Sequence, residues 1–117
     1  MNPYGIPEIN VEEVARRRAA GDAFILVDVR EPHEIAAVNL GAGVELVPMS
    51  EIAALRLDAL PAALDDRNAE VVVICHHGTR SLQVSAWLRQ QGWNNVLNMT
   101  GGVEAWAQRV DPTIGRY

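Results

Sequence analysis

Apolar residues in this chain gather in short unbroken runs, and between the runs they return at helical spacing. The clearest run, Glu70-Val71-Val72-Val73-Ile74, concentrates β-branched side chains without interruption and predicts a strand covered on both faces. Ala23-Phe24-Ile25-Leu26-Val27-Asp28-Val29 has the same character, except for the acid near its end. Weaker strands are expected at Ile6-Pro7-Glu8-Ile9-Asn10, at Val44-Glu45-Leu46-Val47 closed by Pro48, and at Asn95-Val96-Leu97-Asn98. Helices are expected from Val11 to Ala19 behind an Asn10 cap, after Glu31-Pro32, from Ser50 through Leu55, near Pro61-Ala62-Ala63-Leu64, from Ser81 to about Gln91, and from Gly102 to Arg109. The second-last carries Leu82, Ser85, Ala86 and Leu88 near one face. Strands alternating with helices imply a parallel sheet with helices on both faces, an α/β fold.

The length of 117 residues makes this one domain, residues 1–117, and the 49% apolar content is enough for one core. No apolar stretch is long enough to span a bilayer, and Met1-Asn2-Pro3-Tyr4 lacks the basic start of a signal peptide, so a soluble cytoplasmic protein is expected. A net charge of -5 with scattered arginines disfavours nucleic acid as a partner. Arg16-Arg17-Arg18 reads as the solvated face of the first helix, with Glu12 and Glu13 placed for pairing. All ten basic residues are arginine, which excludes Schiff-base chemistry and the lysine of a phosphate-binding P-loop. A single cysteine and three histidines, two of them adjacent, offer no structural metal site. Trp87, Trp93 and Trp106 read as core anchors.

The chemistry is expected at Cys75. Reacting groups in open parallel sheets collect outside the carboxyl ends of the strands, and Cys75 ends the strongest one. The segment after it leads into a helix, whose N–H groups and positive dipole end favour a thiolate, and Arg80 adds a full charge. A buried structural cysteine is the plain alternative, but His76, His77, Gly78 and Arg80 would be costly neighbours for a purely apolar role. The same N–H donors suit a substrate that joins a negative charge to an electrophilic sulfur. Gly78 gives the backbone freedom to curl around the sulfur, and His76 and His77 are either partly charged neighbours of the thiolate or residues of the loop's rim.

Three segments then resemble the rhodanese family, in order and over almost the whole chain: Leu26-Val27-Asp28-Val29-Arg30-Glu31-Pro32-His33-Glu34, Cys75-His76-His77-Gly78-Thr79-Arg80-Ser81 and Thr100-Gly101-Gly102-Val103-Glu104-Ala105-Trp106. The resemblance implies a doubly wound rhodanese-like fold, a five-stranded parallel sheet flanked by helices on both faces. It implies a thiosulfate sulfurtransferase-like enzyme without a cofactor. Cys75 would take a sulfane sulfur from a donor such as thiosulfate or a persulfide and yield it to cyanide, a small thiol or a protein thiol. His76, His77, Gly78, Thr79 and Ser81 would form the substrate-binding loop, Arg80 would steer the anionic donor, and Asp28 and Arg30 would organise the site. A non-catalytic binding module is the second reading. A phosphatase or arsenate reductase is the third, disfavoured because four residues rather than five separate Cys75 from Arg80. The chain departs from the family at Val38-Asn39-Leu40-Gly41-Ala42-Gly43, so a differently shaped connection is expected there.

Overall fold

Val71–Ile74 are completely buried, and they form the middle strand of a five-stranded sheet in the computed structural model, which describes residues 2–117. In chain order the elements are β1 (Glu8–Ile9), α1 (Val11–Ala19), β2 (Ile25–Asp28), α2 (Pro32–Ala37), β3 (Val44–Leu46), α3 (Met49–Leu55), β4 (Val71–Ile74), α4 (Thr79–Gln90), β5 (Val96–Met99) and α5 (Gly102–Arg109). Short 3-10 turns occupy Arg56–Ala59, Ala62–Leu64 and Pro112–Ile114. All strand pairs are parallel, in the order β1-β5-β4-β2-β3. The five expected strands are therefore present, most of their ends trimmed by one or two residues where the ladder stops and β5 running one residue further to Met99, and every expected helix is present except the one near Pro61.

Alternation along β4 divides the core. Val71, Val73 and Cys75 face a cluster with Ile52 of α3, Val84 and Leu88 of α4, Leu64 and Trp93. Val72 and Ile74 face the other side, against Val11 and Val14 of α1 and Val103 and Trp106 of α5. Successive residues of a strand point to opposite faces, so the apolar run of β4 has to be continuous to serve both layers. Cys75 extends this alternation by one residue and aims its sulfur at the layer that holds α4.

Several local features differ from the sequence expectation. Arg16-Arg17-Arg18 is not one solvated face, because three consecutive helical residues point in three directions. Arg16 pairs with Glu13 on the surface, whereas Arg17 grips Glu70 beside β4 and lies over the Phe24 ring. Arg18 donates to the carbonyls of Leu40 and Ala42, and so ties down the Gly41-Ala42-Gly43 connection. α3 starts at Met49, one residue before the expected Ser50; its N-cap is Pro48, and the Ser50 N–H and hydroxyl donate to Glu31. Pro61 introduces only a 3-10 turn, and α4 starts at Thr79, two residues before the expected Ser81. Its buried stripe is Ser81, Val84, Ser85 and Leu88, with Leu82 only half-buried. Trp93 and Trp106 are buried, while Trp87 is half-buried at a groove with Met49 and Ile52.

Candidate active site

Cys75 is the residue at which β4 stops, and only 1% of its surface is exposed. The Gly78 N–H donates to its Sγ at 3.1 Å. The carbonyls of this loop are turned away from the sulfur. That of Cys75 accepts from the Val103 N–H at 2.9 Å, that of His76 from the Glu104 N–H at 3.1 Å, and that of Gly78 from the Asn98 amide at 3.1 Å. The first two donors belong to the first turn of α5, where N–H groups have no partner inside the helix. With these three oxygens held outward, the Gly78 N–H is turned to the sulfur. Among the described residues, the N–H groups of His77, Thr79 and Arg80 donate to no protein acceptor.

Two glycines allow this arrangement. Gly78 stands at φ +100°, in the left-handed region, and a Cβ there would press against the Gly101 N–H. Gly102 stands at φ +61°, and a Cβ would collide with the backbone carbonyls of Cys75 and His76. The Gly101-Gly102 pair is thus the point at which α5 and the cysteine loop touch backbone to backbone. Asn98 joins the loop to α4 as well, because its Oδ1 accepts from the buried Ser81 hydroxyl at 2.5 Å.

Arg80 is engaged. Its two terminal nitrogens donate to the two carboxylate oxygens of Glu34 at 2.7 and 2.8 Å, a bidentate pair. Glu34 also accepts from the Glu31 N–H at 2.9 Å and from the Tyr117 hydroxyl at 3.0 Å. The Arg80 hydrogen bonds, reinforced by those from Glu31 and Tyr117 and opposed by burial, pull the Glu34 carboxyl down to about 2.

Behind this pair lies a second. Arg30 is fully buried and donates to both carboxylate oxygens of Asp28, at 2.7 Å in the shortest contact. Its remaining donors go to the carbonyls of Val38 and Glu34 and to the Tyr117 hydroxyl oxygen. Asp28 and Arg30 therefore reach the cysteine loop indirectly: they fix the end of α2 and Tyr117, which fix Glu34, which fixes Arg80.

The His76 ring is stacked between His77 and Tyr117, with both centroid distances 3.9 Å. Its Nε2 is buried with no partner among the described residues. Burial first, and then the neighbouring His77, push His76 below the ordinary imidazole value. His77 and Thr79 are exposed.

Residues 10–109 match the model of the rhodanese-like domain. The chain belongs to the rhodanese family. A sulfurtransferase of Allochromatium vinosum is 37% identical over 109 residues, covering 93% of this chain and 95% of that protein. A chloroplast protein of Arabidopsis thaliana described as a rhodanese-like/PpiC domain-containing protein is 34% identical, and this chain spans 38% of its length. Among solved structures, the human single-domain sulfurtransferase TSTD1 superposes with a TM-score of 0.72 at 29% identity, covering 90% of this chain and 98% of that one.

Around its cysteine loop, the residues absent from the sequence reading are Asn98 and Tyr117, together with the part taken by Glu34. Glu34 carried a signal, since its spacing from Glu31 is that of a reciprocal helix cap. Asn98, a polar residue in an otherwise apolar strand, carried one too. Tyr117 carried none, because its contacts span more than 80 residues of chain.

Proposed function

We propose that this rhodanese is a sulfurtransferase in which the Cys75 thiolate carries the sulfur. The thiolate attacks the sulfane sulfur of a donor, a new S–S bond forms, and the donor's own bond to that sulfur breaks and its electron pair leaves with the remainder. An acceptor thiolate or cyanide then attacks the outer sulfur of the Cys75 persulfide, and the Cys75 thiolate is restored. No net oxidant or reductant is required. The observation that carries the reading is the polarity of the loop: the carbonyls of Cys75, His76 and Gly78 are tied to α5 and Asn98, and the Gly78 N–H is left to the sulfur. Such donors stabilise both the thiolate and a terminal persulfide anion.

The single cysteine leaves no internal thiol to resolve the persulfide, so the acceptor is external, a small or protein thiol. Chemistry that begins and ends on a free thiolate belongs in a reducing compartment such as the cytoplasm. No helix among the described residues is long and apolar enough to cross a membrane. The phosphatase reading is weaker, because a four-residue interval between Cys75 and Arg80 makes a narrow cradle and Arg80 is already paired. The binding-module reading leaves the loop's N–H groups without a purpose.

Intact mass spectrometry of the reduced protein tests the proposal. Incubation with a sulfane donor should add about one sulfur atom per chain. The gain should be absent in Cys75→Ser and reversed by cyanide or a thiol. No gain with thiosulfate, polysulfide or an alkyl persulfide would leave the binding module as the better account.

A further inference from the structure

Outside its glycines the chain has one strained turn, at the end of α3. Arg56 stands there at φ +55° and ψ -129°, the one positive φ among the described residues that are not glycine. A Cβ crowds the backbone in that region, so glycine is the residue this turn favours. The arginine side chain gains nothing in return inside the fold. Every other arginine of the chain is held by a carboxylate or a carbonyl. Arg56 is exposed and, among the described residues, meets no acceptor, although Glu51 and Asp58 lie on the same segment.

Arg56 stands at the rim of an apolar groove. Met49, Ile52 and Ala53 of α3 form one wall and Val84 and Trp87 of α4 the other, around about 200 Å³ of space. Sites for whole small molecules begin at about 300 Å³, so this groove suits a side chain of another protein. Leu55 and Leu57 flank Arg56 in the chain and are 53% and 41% exposed, which adds apolar surface beside the guanidinium. The groove also leads to the cysteine loop. Arg80, Gln83, Val84 and Trp87 recur at helical spacing and share one face of α4, with Trp87 about 10 Å along the axis from Arg80. On the opposite wall the Met49 N–H donates to the Val29 carbonyl, and the neighbouring Ser50 binds Glu31, three residues before the Glu34 that holds Arg80.

We propose that this groove docks a protein that exchanges sulfur with Cys75, through a segment whose apolar side chain fills the groove and whose adjacent carboxylate pairs with Arg56. The inference rests on the sulfur-transfer reading above. Charge complementarity selects the occupant: an uncommitted guanidinium beside apolar walls is satisfied by a carboxylate next to an apolar side chain. With one cysteine in the chain the thiol partner is external, and anchoring it in the groove raises the effective concentration of its thiol at the loop. An extended segment at about 3.3 Å per residue covers the distance in about three or four residues. The covalent step is unchanged: the partner's thiolate takes the outer sulfur and the Cys75 thiolate is restored.

The probe is the peptide acetyl-Cys-Gly-Ser-Gly-Leu-Glu-amide, made in both chain directions, with acetyl-Cys-Gly-Ser-Gly-Ser-Lys-amide as control. The full chain carrying a Cys75 persulfide is mixed with each, and sulfur release is followed against peptide concentration. A Leu-Glu peptide should reach half its maximal rate at about tenfold lower concentration than the control. Arg56→Glu should erase that difference, while release to cyanide, which is too small to reach the groove, changes by less than about twofold. Arg56→Gly should weaken the peptide reaction as well, yet raise the thermal midpoint by about 2–4 °C, because glycine relaxes the turn. Equal half-saturation for all peptides, loss of the cyanide reaction in step with the peptide reaction, or a lowered midpoint in Arg56→Gly overturns the proposal. So does a natural protein that sediments as a dimer and is dissociated by Arg56→Glu, since a second copy of the chain would then fill the groove. Failure of Cys75 to load from any donor removes the sulfur-transfer reading itself. Docking is then read from the change in tryptophan emission on adding the Leu-Glu peptide with Ser in place of Cys, a change that Trp87→Phe should abolish; no change in the natural protein rejects the docking site too.

Discussion

At Gly102 the carbonyl oxygens of Cys75 and His76 occupy the space a side chain would need, and the backbone stands at φ +61°. Both conditions act in one direction, so Gly102→Ala should destabilise the protein by about 2–4 kcal/mol. It should also cut sulfur loading, since the loop has to move away from the first turn of α5. Urea denaturation and the mass assay on the same sample check this; a variant of natural stability would show that the contact is not as tight as described. The sequence made Gly102 recognisable as part of a Gly-Gly pair but gave no reason for it, because the reason is the backbone of a loop 26 positions earlier. Cys75 was the opposite case: its place after an apolar strand, with His76, His77, Gly78 and Arg80 behind it, was legible locally. The part taken by Arg80 was half legible. Its charge could be read, but the carboxylate that uses it lies 46 positions away in α2.

Among the elements, α2 contributes most to the site for its size. It has only six residues, none of them fully buried, so apolar packing alone gives it little hold. Its position comes from Arg30, whose guanidinium binds the carbonyls of Glu34 and Val38 while Asp28 matches its charge. Removing one member of a buried pair leaves the other charge uncompensated. Arg30→Met should therefore cost about 3–5 kcal/mol, measured by urea or thermal unfolding. A loss below about 1 kcal/mol would mean that Asp28 finds other partners and that the pair is not what holds α2. The larger elements were readable because their patterns are strong: Asn10 caps α1 by accepting from the Glu13 N–H, as its sequence position suggested. The start of α4 was missed because Gly78, at φ +100°, ends the loop abruptly and lets Thr79 and Arg80 enter the helix at once.

For the molecule as a whole, the ion pair between α2 and α4 makes stability depend on acid. Glu34 titrates near 4.5 when unfolded and at about 2 when folded, chiefly because of Arg80. Its contribution is thus fully present above pH 4.5 and is lost as the pH falls toward about 2. Denaturation midpoints measured across this window should fall steadily with acid in the natural protein and fall less in Glu34→Gln. Parallel curves for the two proteins would mean that Glu34 is not held in its charged form by the fold. The groups that face Glu34 are Arg80, Tyr117 and the Glu31 N–H, so the pair reports on the docking of α2, α4 and the last residue of the chain together.

The sequence by itself determined the alternation of strands and helices, the parallel sheet and the location of the thiol, because each follows from short-range periodicity or from residues adjacent in the chain. Only the tertiary structure decided which charges remain available. Glu34, Arg80 and Tyr117 come from three distant segments, and whether a guanidinium is free or paired depends on what the fold brings within 3 Å of it. Electrostatic matching is a property of that juxtaposition, and no local pattern encodes it.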